Sequence, residues 1–199
     1  MLFAKIYFLW RSDRIEDAKR FNEELYQLLT AAGDVSGQLN SLMFLQRVAL
    51  RRGKPEEAVA RGHELLKLCR NWYFPGALAA ALDNLSAALT ELGQLDEALS
   101  SARECVPLLT RDGELLLGLA FFARLAFKRD HPQEAALTLG CIEAIYAEKG
   151  QQMPPYARRV RDETWVGLQK AFSKTELKRL LAEGAALSAE EAARIALAD

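Results

Sequence analysis

The side chains able to act as a catalyst or hold a metal are few in this chain of 199 residues: His63 and His131, Cys69, Cys105 and Cys141, and the acids Asp83 and Glu91. Hydrolytic chemistry needs a nucleophile beside a base, and a metal needs several ligands at short spacing. No Cys or Asp stands at ligand spacing from either histidine; His63 falls mid-helix among core positions and His131 in a turn. The cysteines lie 36 residues apart, and an odd number without short spacings argues against a zinc site or a disulfide framework. Reduced, packed thiols account for them. Asp83 and Glu91 are spaced to share a helix face, where a solvated or ion-paired surface is the ordinary state of such charges. There is no G-x-x-x-x-G-K-S/T phosphate loop, so no nucleotide site is assigned. The expectation is a chain that is not an enzyme, with no catalytic residue, cofactor or metal.

The elements that would position these residues repeat. Four stretches carry one phrase, a helical run, a turn, then acidic residues leading into an alanine: Phe8 to Ala18, Val48 to Ala58, Ala88 to Ala98 and Leu125 to Ala135. The closing alanines are separated by 40, 40 and 37 residues. Self-similarity at such a period marks a helical solenoid, in which each helix pair buries its face only against its neighbours. In the second repeat Leu42, Leu45, Ala49 and Leu50 form one apolar stripe, and Ala58, Gly62, Leu65, Leu66 and Cys69 the facing one. Gly53 suits the left-handed residue that ends a helix, Pro55 the first turn of the next, and Glu56 and Glu57 its positive end. Gly93, Asp96 and Glu97 repeat those roles, while Asp13 and Asp130 stand where the first and fourth repeats lack the glycine. Each closing alanine marks the close crossing of its hairpin, where a larger side chain would force the helices apart.

The fold class is therefore all-α, with four helix pairs over residues 1–33, 34–72, 73–111 and 112–150 and a three-helix cap over 151–199. Met153-Pro154-Pro155 ends the repeats, a helix runs from about Tyr156 to Phe172, and Ser173 with Glu176 and Ser188 with Glu191 read as capping boxes. Trp72, Tyr73 and Phe74 before Pro75 are expected to wedge the bend between two repeats, and Trp165 to pack the tail helix. At the other end, the first helix has only 12 residues before Asp13 and is crowded with apolar side chains. It reads as a helix cut short, with further repeats upstream; the alternative is a small protein whose exposed end dimerises.

Half of the residues are hydrophobic and 27% charged, with a net charge of -1. This composition gives no bulk electrostatic reason to bind nucleic acid or an anionic membrane. No apolar run approaches the length of a membrane span, and Lys5 and Arg11 break the apolar opening. The cytoplasm is the expected compartment. Arg158, Arg159 and Arg161 are followed at once by Asp162 and Glu163, the pattern of a solvated helix rather than a nucleic-acid patch.

The four phrases resemble tetratricopeptide (TPR) repeats, with a period of 40 in place of 34 and with Leu9, Ala49, Leu89 and Ala126 where that family carries an aromatic. The longer variety resembles the repeats of bacterial signal-transduction ATPases and of MalT-like and LuxR-type transcriptional regulators. The tail from Leu180 to Ala192 resembles the phrase that ends the repeat region in those regulators. The resemblance implies a right-handed α-α superhelix whose first helices line a concave groove. It also implies the sensor or interaction part of a larger regulator, working in signal transduction and transcription regulation. The alternative is a free-standing adaptor acting through homodimerisation or a partner.

On the groove side the resemblance places Asn40, Met43, Arg47 and Arg51 from the second repeat, Asp83, Asn84 and Ala87 from the third, and Arg124 and Phe127 from the fourth, with Tyr7, Trp10 and Arg11 extending the row at the first helix. Arginines there would take carboxylate or phosphate, and asparagines a peptide backbone. The partner implied is a protein or peptide segment, or a small effector. Under the alternative adaptor reading, Phe3, Tyr7 and Trp10 on the first helix are the dimer interface.

Overall fold

The computed structural model describes residues 2–72 and 74–199, with the backbone alone at Leu2, Phe3 and Arg11. Among these residues the chain is helical and contains no strand. The helices come in pairs: α1 (Leu2–Arg11) with α2 (Ile15–Ala31), α3 (Val35–Arg51) with α4 (Pro55–Trp72), α5 (Pro75–Leu92) with α6 (Leu95–Asp112), and α7 (Leu115–Lys128) with α8 (Pro132–Glu148). Three more follow, α9 (Pro155–Ala171), α10 (Lys174–Gly184) and α11 (Ala189–Ala196). The chain divides into two compact units, Met1–Ala88 and Leu89–Asp199, with the boundary inside α5.

The repeated phrase has one backbone geometry at all four places. The N–H of Arg14, Lys54, Gln94 and His131 donates to the carbonyl five residues back, on Leu9, Ala49, Leu89 and Ala126, at 2.9, 2.9, 3.0 and 3.0 Å. This bond closes the helix end only if the residue before the donor turns left-handed. Gly53 does so with φ 63°, and Asp13 and Asp130 take the same conformation with φ 60° and 65°. Aspartate is among the few side chains that tolerate it. The closing alanines Ala18, Ala58, Ala98 and Ala135 are all 0% exposed, as close crossings require.

In the first unit α2 packs on α1 and α3, and α4 on α3. Acidic residues after the turns also tie one repeat to the next: Lys19 Nζ meets Glu57 at 2.6 Å and Arg52 Nε meets Glu16 at 2.7 Å. Two buried amides cross between repeats. Asn22 Nδ2 donates to Ser41 O at 2.9 Å, and Gln46 Nε2 donates to Ala81 O at 3.3 Å. Both acceptors sit at the same place in successive repeats. In the second repeat Gly62 stands where the first has Asn22, and a Cβ there would lie 2.6 Å from the Gln46 amide nitrogen. The glycine thus makes room for an amide arriving from the other helix of its pair.

In the second unit α9 packs on α7, α10 on α8, and α11 on both. Gly140 of α8 and Gly184 of α10 mark the closest crossing: a Cβ on either would overlap backbone of the opposite helix, at Leu181 and Leu137 respectively. Arg103 of α6 donates to Leu197 O at 3.0 and 2.7 Å, and Arg129 Nη1 to Ala198 O at 2.7 Å, which caps α11.

Three local expectations need correction. Ser188 and Glu191 form the full reciprocal box, but Ser173 only accepts from Glu176 N, because the Glu176 carboxylate is held by Arg179 at 2.6 Å. Trp72 does not wedge a bend; it ends α4 with 60% of its surface exposed, and Tyr73 lies outside the described residues. Leu9 and Ile6 are buried in the core with Ala18 and Leu25 and Trp10 packs against them, so this part of the apolar surface of α1 is used internally, while Tyr7 and Phe8 stay exposed.

Candidate binding face

The residues with catalytic potential are dispersed. His63 is exposed on α4 and not among core positions, since the buried stripe of that helix runs through Gly62, Leu65, Leu66 and Cys69. His131 is the N-cap of α8. All three cysteines are buried and unbridged. Burial pushes the Cys69 thiol up to about 11, and burial, followed by Glu190 and Glu191, pushes that of Cys141 up. Neither thiol is poised as a nucleophile at neutral pH. Among the described residues no three His, Cys, Asp or Glu side chains converge as metal ligands.

In the first unit the sequence-predicted residues of α3 occupy one strip. Asn40, Arg47 and Arg51 are exposed and Met43 is partly buried, while Leu39, Leu42, Leu45, Gln46, Val48 and Ala49 face inward. The strip arises because 3.6-residue periodicity places positions 40, 43, 47 and 51 on one face. Arg51 is engaged within the unit: Nη2 donates to Asp13 Oδ1 at 2.6 Å, and the guanidinium lies 4.7 Å from the Trp10 ring centroid. Trp10 in turn meets Phe44 edge-on at 5.3 Å. Trp10 therefore belongs to packing between the first two repeats, whereas Tyr7 is 61% exposed. The Phe3 side chain lies outside the described residues.

On α5, Asp83 and Asn84 are partly buried. The Asp83 carboxyl is unusual. Its Oδ1 is closed off from solvent and has no hydrogen-bond partner, although the residue as a whole keeps some surface open. Burial pushes this carboxyl up to about 7. Glu91, two turns further on, behaves quite differently because it holds Arg124.

In the second unit Arg124 and Phe127 serve the packing of α9. The Arg124 side chain is 14% exposed, with Nε 3.1 Å from Glu91 and Nη2 3.7 Å from Glu163. Phe127 lies so close over Gly167 that a Cβ there would collide with its ring. The basic run of α9 is also neutralised: Arg159 pairs with Glu163 at 3.6 Å, and Arg161 with Asp162 at 2.9 Å and Glu143 at 3.7 Å. Arg158 donates to Met153 O.

Sequence reasoning missed the Asn22 and Gln46 crosslinks and a polar hollow where Tyr26, Arg20 and Arg61 surround the edge of Leu45. There Tyr26 donates to Glu64 at 2.5 Å, and burial followed by that carboxylate pushes its hydroxyl up to about 12. A mid-helix Asn one 40-residue period before a glycine was the available signal for the first of these.

No protein-family model and no curated protein matches the chain. Solved structures do. The crystal structure of nearly identical TPR-like repeats from a kinesin light chain-like protein of Podospora anserina superposes with a TM-score of 0.64 at 17% sequence identity, covering 96% of this chain and 94% of that one. A single-substitution variant of the same protein gives the same values. The likeness establishes the fold: an all-α, TPR-like helical repeat.

Proposed function

We propose that this chain is a non-catalytic protein-interaction module whose binding face is the open strip of α3 together with Asp83 and Asn84 of α5. The observation that carries the reading is the α3 strip itself, where Asn40, Arg47 and Arg51 stay exposed opposite the buried face of the helix. Amide and guanidinium groups on such a face can hydrogen-bond the backbone of an extended segment. In a helical repeat, where a helix pair buries its face against the next, a bound segment can order several helices together. Service as the sensor part of a larger bacterial regulator draws on the Leu180–Ala192 phrase, and a cytoplasmic setting on the three buried, unbridged cysteines. No described helix is long and apolar enough to cross a membrane.

A displayed library of random dodecapeptides, panned on the chain, tests the binding face. Enriched peptides are expected to bind Asn40→Ala, Arg47→Ala at least tenfold more weakly, the equivalent of about 1.4 kcal/mol. Peptides that bind the double variant undiminished would overturn the assignment. One further observation favours the adaptor as second reading: Tyr7 and Phe8, 61% and 65% exposed, stand side by side on α1. Failure to enrich any peptide, together with a concentration-dependent dimer by light scattering, would favour it.

A further inference from the structure

The carboxyl of Asp83 on α5 is uncompensated. Asp83 Oδ1 is buried without a hydrogen-bond partner, and burial is what acts on the group; no cationic side chain offsets it. The charged residues of the α3 strip are Arg47 and Arg51. Arg51 is committed to Asp13 and to the Trp10 ring, and Arg47 has a contact of its own. Along α5 the side chains one turn from Asp83 on its own face are Ala80 and Ala87, which bring no donor and little bulk. The residue as a whole is only partly buried, and a ligand donor reaching the carboxyl would come from that open side. A carboxylate shut away from water without a partner is costly, and a hydrogen-bonded cation is the group that relieves it.

We propose that Asp83 is the seat for one cationic side chain of the bound segment, a lysine ammonium or an arginine guanidinium. This rests on the α3–α5 face being the binding face. It reverses the charge preference that the arginines alone imply: the face takes a basic segment in place of a carboxylate or phosphate. An organic cation fits better than a metal ion, since no second His, Cys, Asp or Glu converges with a third there among the described residues.

The test is titration of the 15N-labelled chain with Nα-acetyl-lysine amide, with Nα-acetyl-norleucine amide and Nα-acetyl-glutamate amide as controls. The lysine compound is expected to shift amides around Asp83 with millimolar affinity. Norleucine amide, with an alkyl chain and no charge, should leave them in place, and Asp83→Asn should weaken the lysine response at least tenfold. That variant keeps the shape of the side chain and removes its charge. Asp83→Glu should retain part of the response. A lysine response equal in Asp83→Asn, no response at all, or a response to the glutamate compound instead would overturn the proposal. If library peptides nevertheless depend on Asn40 and Arg47, the binding face stands and the cation seat alone falls. If lysine binds at Asp83 while library peptides ignore Asn40 and Arg47, the reverse holds.

Discussion

Gly184→Ala is expected to destabilise the second unit by about 3 kcal/mol, the upper part of the usual range for overpacking, and Gly140→Ala by a similar amount. In most helix positions the same change is favourable by up to about 1 kcal/mol, because alanine restricts the unfolded chain and favours helix. Here a Cβ on Gly184 would overlap the carbonyl of Leu137, and one on Gly140 the carbonyl of Leu181. Backbone cannot rotate aside as a side chain can, so α8 and α10 must separate. The two substitutions act on one crossing, and the double variant should lose less than the sum. Gly76 supplies the control: it lies in α5 with nothing near the position of a Cβ, and Gly76→Ala should gain a few tenths of a kcal/mol or more. Urea denaturation measures all four. A Gly184→Ala chain as stable as its parent would show that α10 does not dock as described.

The second large effect is a pH dependence. Asp83 has its carboxyl raised from the ordinary 3.8 to about 7 by burial. Between these values the folded chain holds a proton that the unfolded chain has released, so stability falls as pH rises through the window and levels off above it. The full shift would correspond to about 4 kcal/mol; with the residue partly open, about 2 kcal/mol is the expected loss. Asp83→Asn removes the titrating group. The variant should match its parent near pH 4 and exceed it by about 2 kcal/mol at pH 8. Glu176, Glu191 and Asp199 have carboxyls held low by hydrogen bonds and give the opposite slope. The difference between variant and parent cancels them. Parallel stability curves for the two chains would contradict the account of Asp83.

The repeats were legible because they depend on local chemistry. A left-handed residue, an acidic first turn and a small residue at a close crossing each have a sequence signature, and Asp13 and Asp130 were readable as stand-ins for glycine. The α3 strip was readable from the same periodicity. What escaped is what depends on distant partners. Arg51 and Arg124 look like open arginines until Asp13, Glu91 and Glu163 are brought beside them across 33 to 39 positions of chain. Phe127 gives no sign that Gly167 will pass beneath it, nor Gly140 that Gly184 will meet α8. Asp83 reads as one more surface acid, because desolvation is a property of packing and leaves no mark on neighbouring residue types. His63 misled for the opposite reason: it adjoins Gly62, which belongs to the buried stripe, but a one-residue step turns a side chain by 100° around the helix.

The central claim is that the α3–α5 face receives the partner. Hydrogen exchange of the chain, with and without the tightest-binding library peptide, tests it most directly. The account predicts slowed exchange confined mainly to α3 and to α5 around Asp83 and Asn84, lost with Asn40→Ala, Arg47→Ala. Protection on α1 or on the outer side of α9, with α3 and α5 unchanged, would contradict it.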